Sequence, residues 1–576
     1  MMRRRAVRSP RGRSLSAFVM VVSLFAIFLM AAMQKTFVTY LRGQTRRQRT
    51  VEGTIASLAK NRRRFAAYLP GAEEELAREG ATACSALPAV GGEEAADAAR
   101  HLWTAFAADV LAASRHPDDP SYSHMIWTRK MLVELSPSAM AGSIRSRPPP
   151  AALARVLRTV QKRLTHPEAN PPLRVAVVGG SMAEGRGCDL ASVEVPEGST
   201  MANPIYCAWP YRFEQLMNSM LGGKKVVEVT NLAEDGTDTA FMTPLLKSWI
   251  YPPSLLPQGP DVVVNAYTSK DFRGYGAASL LGTMRDEMAA FFEAVESSSP
   301  CGEPPLIVRL DDTGDDAMAS IGSGRALLVQ YGDPIAKVIS ADEATKEVPV
   351  DIDFGMAGHL ALSWVLSFAL ADVTIRHCAS SVLEDLQTPD LPPTECQDPS
   401  EGGQPCVFAW FAGPMGTVSR PSQIQQYLLP HVFQNTGWQP STDMSTGFSR
   451  KSGLVAIEPG ASITFRFPSI QREVRHLNLM TLKSNGDAWV GGKARFALLV
   501  KENKVGTGTE EVDGSNSQWQ ETSFTIDGSH ESPTHITYHF GVDLEDNRAK
   551  AGSDVELKVE LVEGFSFKIL GMMLCS

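Results

Sequence analysis

The sequence predicts an α/β domain built on a parallel sheet, followed by an antiparallel β-sandwich. Three stretches, residues 173–190, 226–239 and 261–271, each consist of an apolar strand that runs into a polar loop with glycine or serine. Helical spacers of βαβ length separate them. In the last third of the chain, short runs rich in β-branched and aromatic residues alternate with polar positions, which is typical of a sandwich.

The amino-terminal segment predicts a membrane anchor. Residues 1–13 carry six arginines, and residues 15–33 form an uncharged apolar segment of 19 residues, close to the length that a helix needs to cross a bilayer. A cleaved signal peptide is the alternative, although its apolar region is usually shorter. The arginines favour the cytoplasmic side, so we expect a single-pass type II membrane protein with its bulk in the lumen of the Golgi or the endoplasmic reticulum.

The expected organisation is a cytoplasmic tail with the anchor at 1–50, a helical stem at 51–171, the α/β domain at 172–380 and the β-sandwich at 381–576. A content of 43% hydrophobic and 21% charged residues is ample for two globular domains. The net charge of −9 argues against nucleic acid as a partner.

The chain contains eight cysteines, an even number that predicts disulfides in an oxidising compartment. Cys188 with Cys207, and Cys396 with Cys406, would close short loops, but the spacing leaves the connectivity open. No cysteines form a Cys-x-x-Cys pair, so we expect no zinc site and no other metal or cofactor.

The stretch 173–190 presents one serine. A buried apolar strand ends at Gly179 and Gly180, and Ser181 follows. We expect the two glycines to adopt backbone angles closed to other residues, so that the Ser181 hydroxyl points out of the carboxyl edge of the sheet. A short Gly-Gly-Ser sequence also occurs by chance, and an ordinary strand and turn is the alternative.

Together with the loops at 226–239 and 261–271, this serine block resembles the SGNH, or GDSL-like, family of esterases and acyltransferases. The resemblance covers about residues 172–375 and implies a three-layer, flavodoxin-like domain with a parallel sheet. The order of tail, anchor, stem, catalytic-type domain and carboxyl-terminal β-domain also resembles membrane-anchored SGNH-like proteins of microalgae.

The resemblance implies that Ser181 is the nucleophile and that the amides of Ser181 and Gly236 stabilise the oxyanion. Lys270 stands where the family has its third oxyanion donor, an asparagine. This lysine could stabilise the oxyanion by its charge, or it could point to solvent.

His359 is the plausible base, because the one other histidine between Ser181 and the carboxyl-terminal domain, His377, falls at the far end of an apolar helix. Its segment resembles the family's last block but lacks a complete Asp-x-x-His. Asp351 or Asp353 could orient His359 from the same turn. The alternative is that His359 is a polar residue that opens a helix.

The sandwich is predicted from seven runs, and its tryptophans are candidates for stacking on sugar rings, although a tryptophan in a sandwich is more often a core residue. The runs are residues 462–467, 476–481, 495–500, 521–526, 535–540, 556–561 and 565–570, and the tryptophans are Trp410, Trp438, Trp489 and Trp519.

Taken together, these features lead us to expect a luminal serine esterase or O-acyltransferase. Its substrate would be an ester-linked acyl group, for which we expect acetyl, on a small molecule or a glycan. Residues 15–33 would anchor the protein in the membrane. The alternative is a catalytically inactive SGNH scaffold with a carbohydrate-binding sandwich.

Overall fold

The computed structural model describes the residues given at the end of this paragraph. The predicted anchor at 15–33 lies outside them, and among them no helix is long and apolar enough to cross a membrane. The described residues are Leu135, Met140, Asp271 and residues 142–185, 208–221, 225–252, 255–268, 280–299, 304–313, 320–335, 355–380, 406–413, 420–442, 451–456, 458–483, 492–501, 519–529, 536–544 and 548–576.

The first sheet contains six described strands in the order β1-β6-β5-β4-β2-β3. Strands β2 to β6 pair in parallel, and β1 pairs antiparallel with β6 at the edge. The parallel strands have the order of flavodoxin-like sheets, which confirms the predicted α/β class. The strands are β1 (Ile144–Ser146), β2 (Leu173–Gly179), β3 (Val227–Asn231), β4 (Val262–Ala266), β5 (Leu306–Asp311) and β6 (Leu327–Gln330).

Helices cover both faces of this sheet, which explains why its apolar runs do not alternate with polar residues. Ala176 and Val178 on β2 pack in one core with α4 and α5, whereas Val175 and Val177 point to the opposite face, where α6 contacts both α1 and α3. The helices are α1 (Pro150–Thr165), α2 (Ser181–Glu184), α3 (Trp209–Met220), α4 (Thr239–Trp249), α5 (Leu280–Ser297) and α6 (Gly355–Ser380).

The α/β domain begins within the range that the sequence predicts as a stem. Strand β1 extends the sheet at its edge, and α1 packs on β2, β5 and α6. Strand β1 and helix α1 therefore belong to the α/β domain.

The predicted sandwich is also confirmed, with two antiparallel sheets. The inner sheet has the order β15-β12-β17-β10-β9, with β7 also paired to β17, and the outer sheet has the order β14-β13-β16-β11-β8. All seven predicted strands are present, whereas β7 to β10 and the helix α7 (Pro421–Leu428) are additional. The strands are β7 (Cys406–Phe411), β8 (Val432–Thr436), β9 (Trp438–Thr442), β10 (Ser452–Ala456), β11 (Ser462–Phe467), β12 (His476–Lys483), β13 (Lys493–Lys501), β14 (Gln520–Asp527), β15 (Ile536–Asp543), β16 (Asp554–Glu563) and β17 (Phe567–Cys575).

The central strand of the inner sheet, β17, is buried on both faces. In β17 all nine positions are buried: Ile569 and Met572 belong to the core between the two sandwich sheets, and Leu570 and Met573 to the core of the α/β domain. The α/β domain and the sandwich therefore share one continuous hydrophobic core.

The predicted disulfide between Cys396 and Cys406 is wrong for Cys406, which is bonded to Cys575 instead. These two residues are cross-strand partners where β7 pairs with β17. Strand pairing, rather than loop length, decides the connection. Cys188, Cys207 and Cys396 lie outside the described residues.

Candidate functional site

Ser181 lies at the carboxyl end of the parallel sheet. It is the first residue of the four-residue helix α2, directly after β2, and its side chain is half-buried. Strands β3 and β4 flank β2 in parallel, so their following loops reach the same edge. Ligands of open α/β sheets bind at this edge.

The two glycines before Ser181 have a different role from the predicted one. Neither has a positive φ; Gly180 has φ −87° and ψ −158°. Gly179 is required by close packing, because a Cβ there would lie 2.7 Å from the Cβ of Ala183. The left-handed glycine of this turn is Gly185, with φ 118°, which ends α2.

The second predicted block adjoins the serine turn through residues 234–237, which we call the bridging segment. The Glu234 amide donates to the Gly179 carbonyl at 2.9 Å, and the Asp235 amide donates to Glu184 Oε2 at 2.7 Å. Gly236, a predicted oxyanion donor, is buried in this segment and has φ 75°. The structure therefore brings the Gly236 loop next to the Ser181 turn.

The sandwich contacts the other side of the bridging segment. Lys451, just before β10, donates from Nζ to the Asp235 carbonyl at 2.6 Å and also to Thr537 Oγ1. The Thr537 amide on β15 donates to the Gly236 carbonyl at 3.1 Å. Lys451 Nζ lies 3.8 Å from Glu234 Oε1, and both side chains are buried. The segment is thus hydrogen-bonded to the serine turn and to the sandwich at once.

Glu234 is a buried carboxyl in an unusual electrostatic environment. Burial raises its pKa to about 7, Lys451 lowers that pKa, and Glu184 and Asp235 raise it. Its Oε2 has no hydrogen-bond partner in the described part of the chain. That oxygen lies against Gly413, where a Cβ would approach it to 2.3 Å. The carboxyl is therefore poised to exchange a proton near neutral pH.

The third block contributes a buried carboxyl, Asp271. It accepts hydrogen bonds from the amide of Thr239 at 2.9 Å and from its Oγ1 at 2.7 Å, and so holds the first residue of α4. Burial raises the pKa of Asp271 to about 7. Lys270, the residue predicted to serve the oxyanion, lies outside the described residues.

His359 is fully buried in the first turns of α6. Its Nδ1 accepts a hydrogen bond from the Trp209 amide at 3.2 Å. By that hydrogen bond, a neutral His359 carries its proton on Nε2, whereas a general base needs its unprotonated nitrogen to face the nucleophile. Asp351 and Asp353 lie outside the described residues, and the role of His359 as a base stays a prediction.

The tryptophans of the sandwich divide into two environments. Trp410 and Trp438 are 0% and 3% exposed, so the core interpretation is confirmed for both. Trp519 is 37% exposed and directly precedes β14, an edge strand of the outer sheet. Trp489 lies outside the described residues. Among the described residues, no group of His, Cys, Asp or Glu is arranged to hold a metal ion.

We call the contact between the bridging segment and the sandwich the junction. Three of its residues were not among the predicted site residues: Glu234, Lys451 and Thr537. Glu234 lies in the second block, where its sequence neighbourhood looks like an ordinary polar loop. Lys451 and Thr537 are more than 200 residues away from it in the chain, and no local pattern marks them.

The chain matches no protein-family model and no curated protein sequence. Among solved structures it is similar to a carbohydrate-binding module, CBM6cm-2, from Cellvibrio mixtus lichenase 5A, with 15% identity and a TM-score of 0.16 over 30% of this chain and 98% of the module. It is also similar to the tail fibre protein gp63.1 of a phage of E. coli, with 12% identity and a TM-score of 0.25 over 72% of this chain and 48% of that one.

A third similar structure is the CBM22-1 xylan-binding domain from Paenibacillus barcinonensis Xyn10C, with 6% identity and a TM-score of 0.19 over 30% of this chain and 95% of that domain. At TM-scores this low, none of the three similarities supports a statement about the fold or function of this chain.

Proposed function

We propose that this protein binds carbohydrate through its β-sandwich, and that its SGNH-like α/β domain is a non-catalytic scaffold. The observation that carries the proposal is the partly exposed indole of Trp519 at the edge of the outer sheet. An indole offers a flat apolar face to the C–H groups of a sugar ring and an N–H donor to a hydroxyl. Trp410 and Trp438 cannot offer their indole faces to a sugar, because they are packed in the core.

The hydrogen bond of His359 favours the non-catalytic half of the proposal. Its Nδ1 is taken by the Trp209 amide, and the side chain has no solvent exposure. A serine hydroxyl is a weak nucleophile without a base that accepts its proton. This arrangement favours Ser181 as a residue of the turn over Ser181 as an activated nucleophile.

Affinity electrophoresis of the full-length protein in detergent, in gels that contain a series of soluble polysaccharides, tests the binding. We expect at least one polysaccharide to retard the wild type, Trp519→Ala to lose most of the retardation, and Trp519→Phe to keep part of it. Phe433→Ala is the matched control at the opposite edge of the same sheet, where the Arg466 guanidinium lies 3.3 Å above the ring.

Loss of retardation in Phe433→Ala but not in Trp519→Ala would contradict the assignment to Trp519. An absence of retardation by any polysaccharide in the series would contradict carbohydrate binding itself.

A second candidate function is the serine esterase or O-acyltransferase acting on ester-linked acetyl groups of a glycan. The position of Ser181 at the carboxyl edge, beside the loop of Gly236, favours it. In this reaction a base takes the Ser181 proton and the serine oxygen bonds to the acyl carbon. The bond between that carbon and the alcohol oxygen then breaks as the base returns the proton to that oxygen, and the neutral alcohol leaves. Water or a sugar hydroxyl then takes the acyl group from the serine.

The roles in that reaction remain those implied by the sequence resemblance. Ser181 would be the nucleophile and His359 the base, oriented by Asp351 or Asp353. The amides of Ser181 and Gly236, with Lys270, would stabilise the oxyanion. His359 would have to release the Trp209 amide before it could accept the serine proton.

A fluorophosphonate probe that labels activated serines separates the two candidates. The scaffold proposal expects wild-type labelling no stronger than that of Ser181→Ala. Labelling that is lost in both Ser181→Ala and His359→Ala would instead establish the hydrolase.

We also propose that residues 15–33 anchor the protein in a membrane of the secretory pathway, as a type II protein with both folded domains in the lumen. The apolar segment and its six preceding arginines support this. Alkaline carbonate should leave the full-length protein in the membrane pellet. Its release into the supernatant would contradict the anchor and favour a cleaved signal.

A further inference from the structure

The bridging segment makes hydrogen bonds on two sides. On one side, the amides of Glu234 and Asp235 bond to the serine turn. On the other side, the carbonyls of Asp235 and Gly236 accept from Lys451 and Thr537 of the sandwich. The loop that carries Gly236 is therefore held from both sides.

We propose that Lys451 is a positioning residue of the Ser181 site, which holds the bridging segment against the serine turn and so makes the sandwich part of that site. The role presumes the second candidate function, in which Gly236 is an oxyanion donor. Lys451 of the sandwich would then set the position of the Gly236 amide in the α/β domain.

The surroundings of Lys451 suit this role. Its side chain is 4% exposed, and its ammonium group bonds to the Asp235 carbonyl and to Thr537 while it faces Glu234 at 3.8 Å. The backbone of Lys451 is held in turn, because Lys568 Nζ on β17 donates to its carbonyl. A flexible side chain that is buried and bonded in this way has one geometry, and it imposes that geometry on the segment.

The contact is also sensitive to pH through Glu234. Burial raises the pKa of this carboxyl from 4.5 to about 7, and the charged groups that face it are Lys451, Glu184 and Asp235. The closed junction therefore prefers the neutral carboxyl, and opening, which returns the carboxyl to water, releases a proton between pH 4.5 and about 7. The open fraction should rise with pH up to about 7 and then level off.

Hydrogen exchange of the full-length protein, read by mass spectrometry and corrected for the intrinsic chemical rate at each pH, tests both statements. The amides of Thr537 and Asp235 report on the two sides of the bridging segment. In the wild type, their opening should increase on the order of 50-fold between pH 5 and pH 8, which follows from the two pKa values of Glu234. Glu234→Gln should remove this increase.

Lys451→Met should raise the exchange of both amides at least tenfold at a fixed pH, and Lys451→Arg should restore most of the protection, because it keeps the cation. Lys493→Met is the matched control, since it removes a sandwich lysine whose partner is the exposed Glu563. Peptides of β13 and β16 report whether each variant still folds.

Wild-type exchange of Asp235 and Thr537 in Lys451→Met would overturn the positioning role, and an unchanged pH profile in Glu234→Gln would overturn the role of Glu234. If Lys451→Met unfolds, as the β13 peptides would reveal, Glu234→Gln and Lys451→Arg decide the question alone. Failure of the wild type to react with the fluorophosphonate would contradict the hydrolase function but would leave the exchange results unchanged. Failure of the hydrolase function and failure of the positioning role are therefore distinguishable.

Discussion

The inner and outer sheets of the sandwich contain strands of similar length but differ in what surrounds them. Strand β17 of the inner sheet is buried at all nine positions, whereas in β16 of the outer sheet buried positions alternate with half-buried or exposed ones. The inner sheet packs on the outer sheet with one face and on the α/β domain with the other. The inner sheet therefore joins the two domains, and the outer sheet leaves a polar face and its edges to solvent.

The lysine–glutamate contacts of the two sheets also differ in their exposure to solvent. Lys493 on the outer sheet pairs with the exposed Glu563, where water screens the attraction. Lys451 of the inner sheet faces Glu234 in a nearly solvent-free junction, where desolvation outweighs the attraction and raises the pKa of the carboxyl. Contacts of the inner sheet should consequently contribute more to stability than those of the outer sheet.

The largest effect is expected from Phe411→Ala. Phe411 of the inner sheet is 1% exposed and its ring lies 5.6 Å from that of Phe241 on α4, across the junction. The loss of a buried phenylalanine costs about 3–5 kcal/mol in free energy of unfolding. Phe433→Ala on the outer sheet, where the ring is 56% exposed, should cost less than about 1 kcal/mol by urea denaturation. Equal losses would contradict the difference between the two sheets.

The disulfide of the inner sheet should have the next largest effect. Removing Cys406–Cys575, which joins residues 169 apart, is expected to cost about 2–4 kcal/mol in free energy of unfolding. We would compare the double variant Cys406→Ala, Cys575→Ala with the wild type by urea denaturation. The Cys406–Cys575 peptide should appear in non-reducing digests of the wild type and of the control variant Cys396→Ala alike. A Cys396–Cys406 peptide in the wild-type digest would contradict this pairing.

The buried carboxyl of Glu234 should make the free energy of unfolding depend on pH. The pKa of Glu234 is raised from 4.5 to about 7 in the folded state, so its neutral form stabilises the fold below pH 4.5, and this contribution is lost as the pH rises through 7. Between pH 5 and pH 8 the wild type should lose about 2 kcal/mol relative to Glu234→Gln, as measured by urea denaturation. Asp271 has a raised pKa too, so only the difference between the two proteins is diagnostic.

The smallest effect is expected from Lys493→Met in the exposed pair of the outer sheet. Its denaturation midpoint should match that of the wild type within error, and the match should hold at high salt. A clear loss of stability that salt abolishes would show that the outer sheet depends on its surface charges, which would weaken the comparison.

The classes of the two domains could be predicted from the amino-acid sequence without a structure. The parallel strands and the seven sandwich strands follow from hydrophobic periodicity, which depends on each residue and its immediate neighbours. The turn of Ser181 also follows from a local signal, although Gly179 serves close packing rather than an unusual φ.

The pairing of Cys406 with Cys575, the shared core and the contact of Lys451 with the bridging segment became visible only in the folded chain. Each of these joins residues more than 150 positions apart in the chain. Their partners are set by which strands become neighbours and which sheet face meets which helix. A local pattern does not contain that information, because burial on a second face depends on a surface formed elsewhere in the chain.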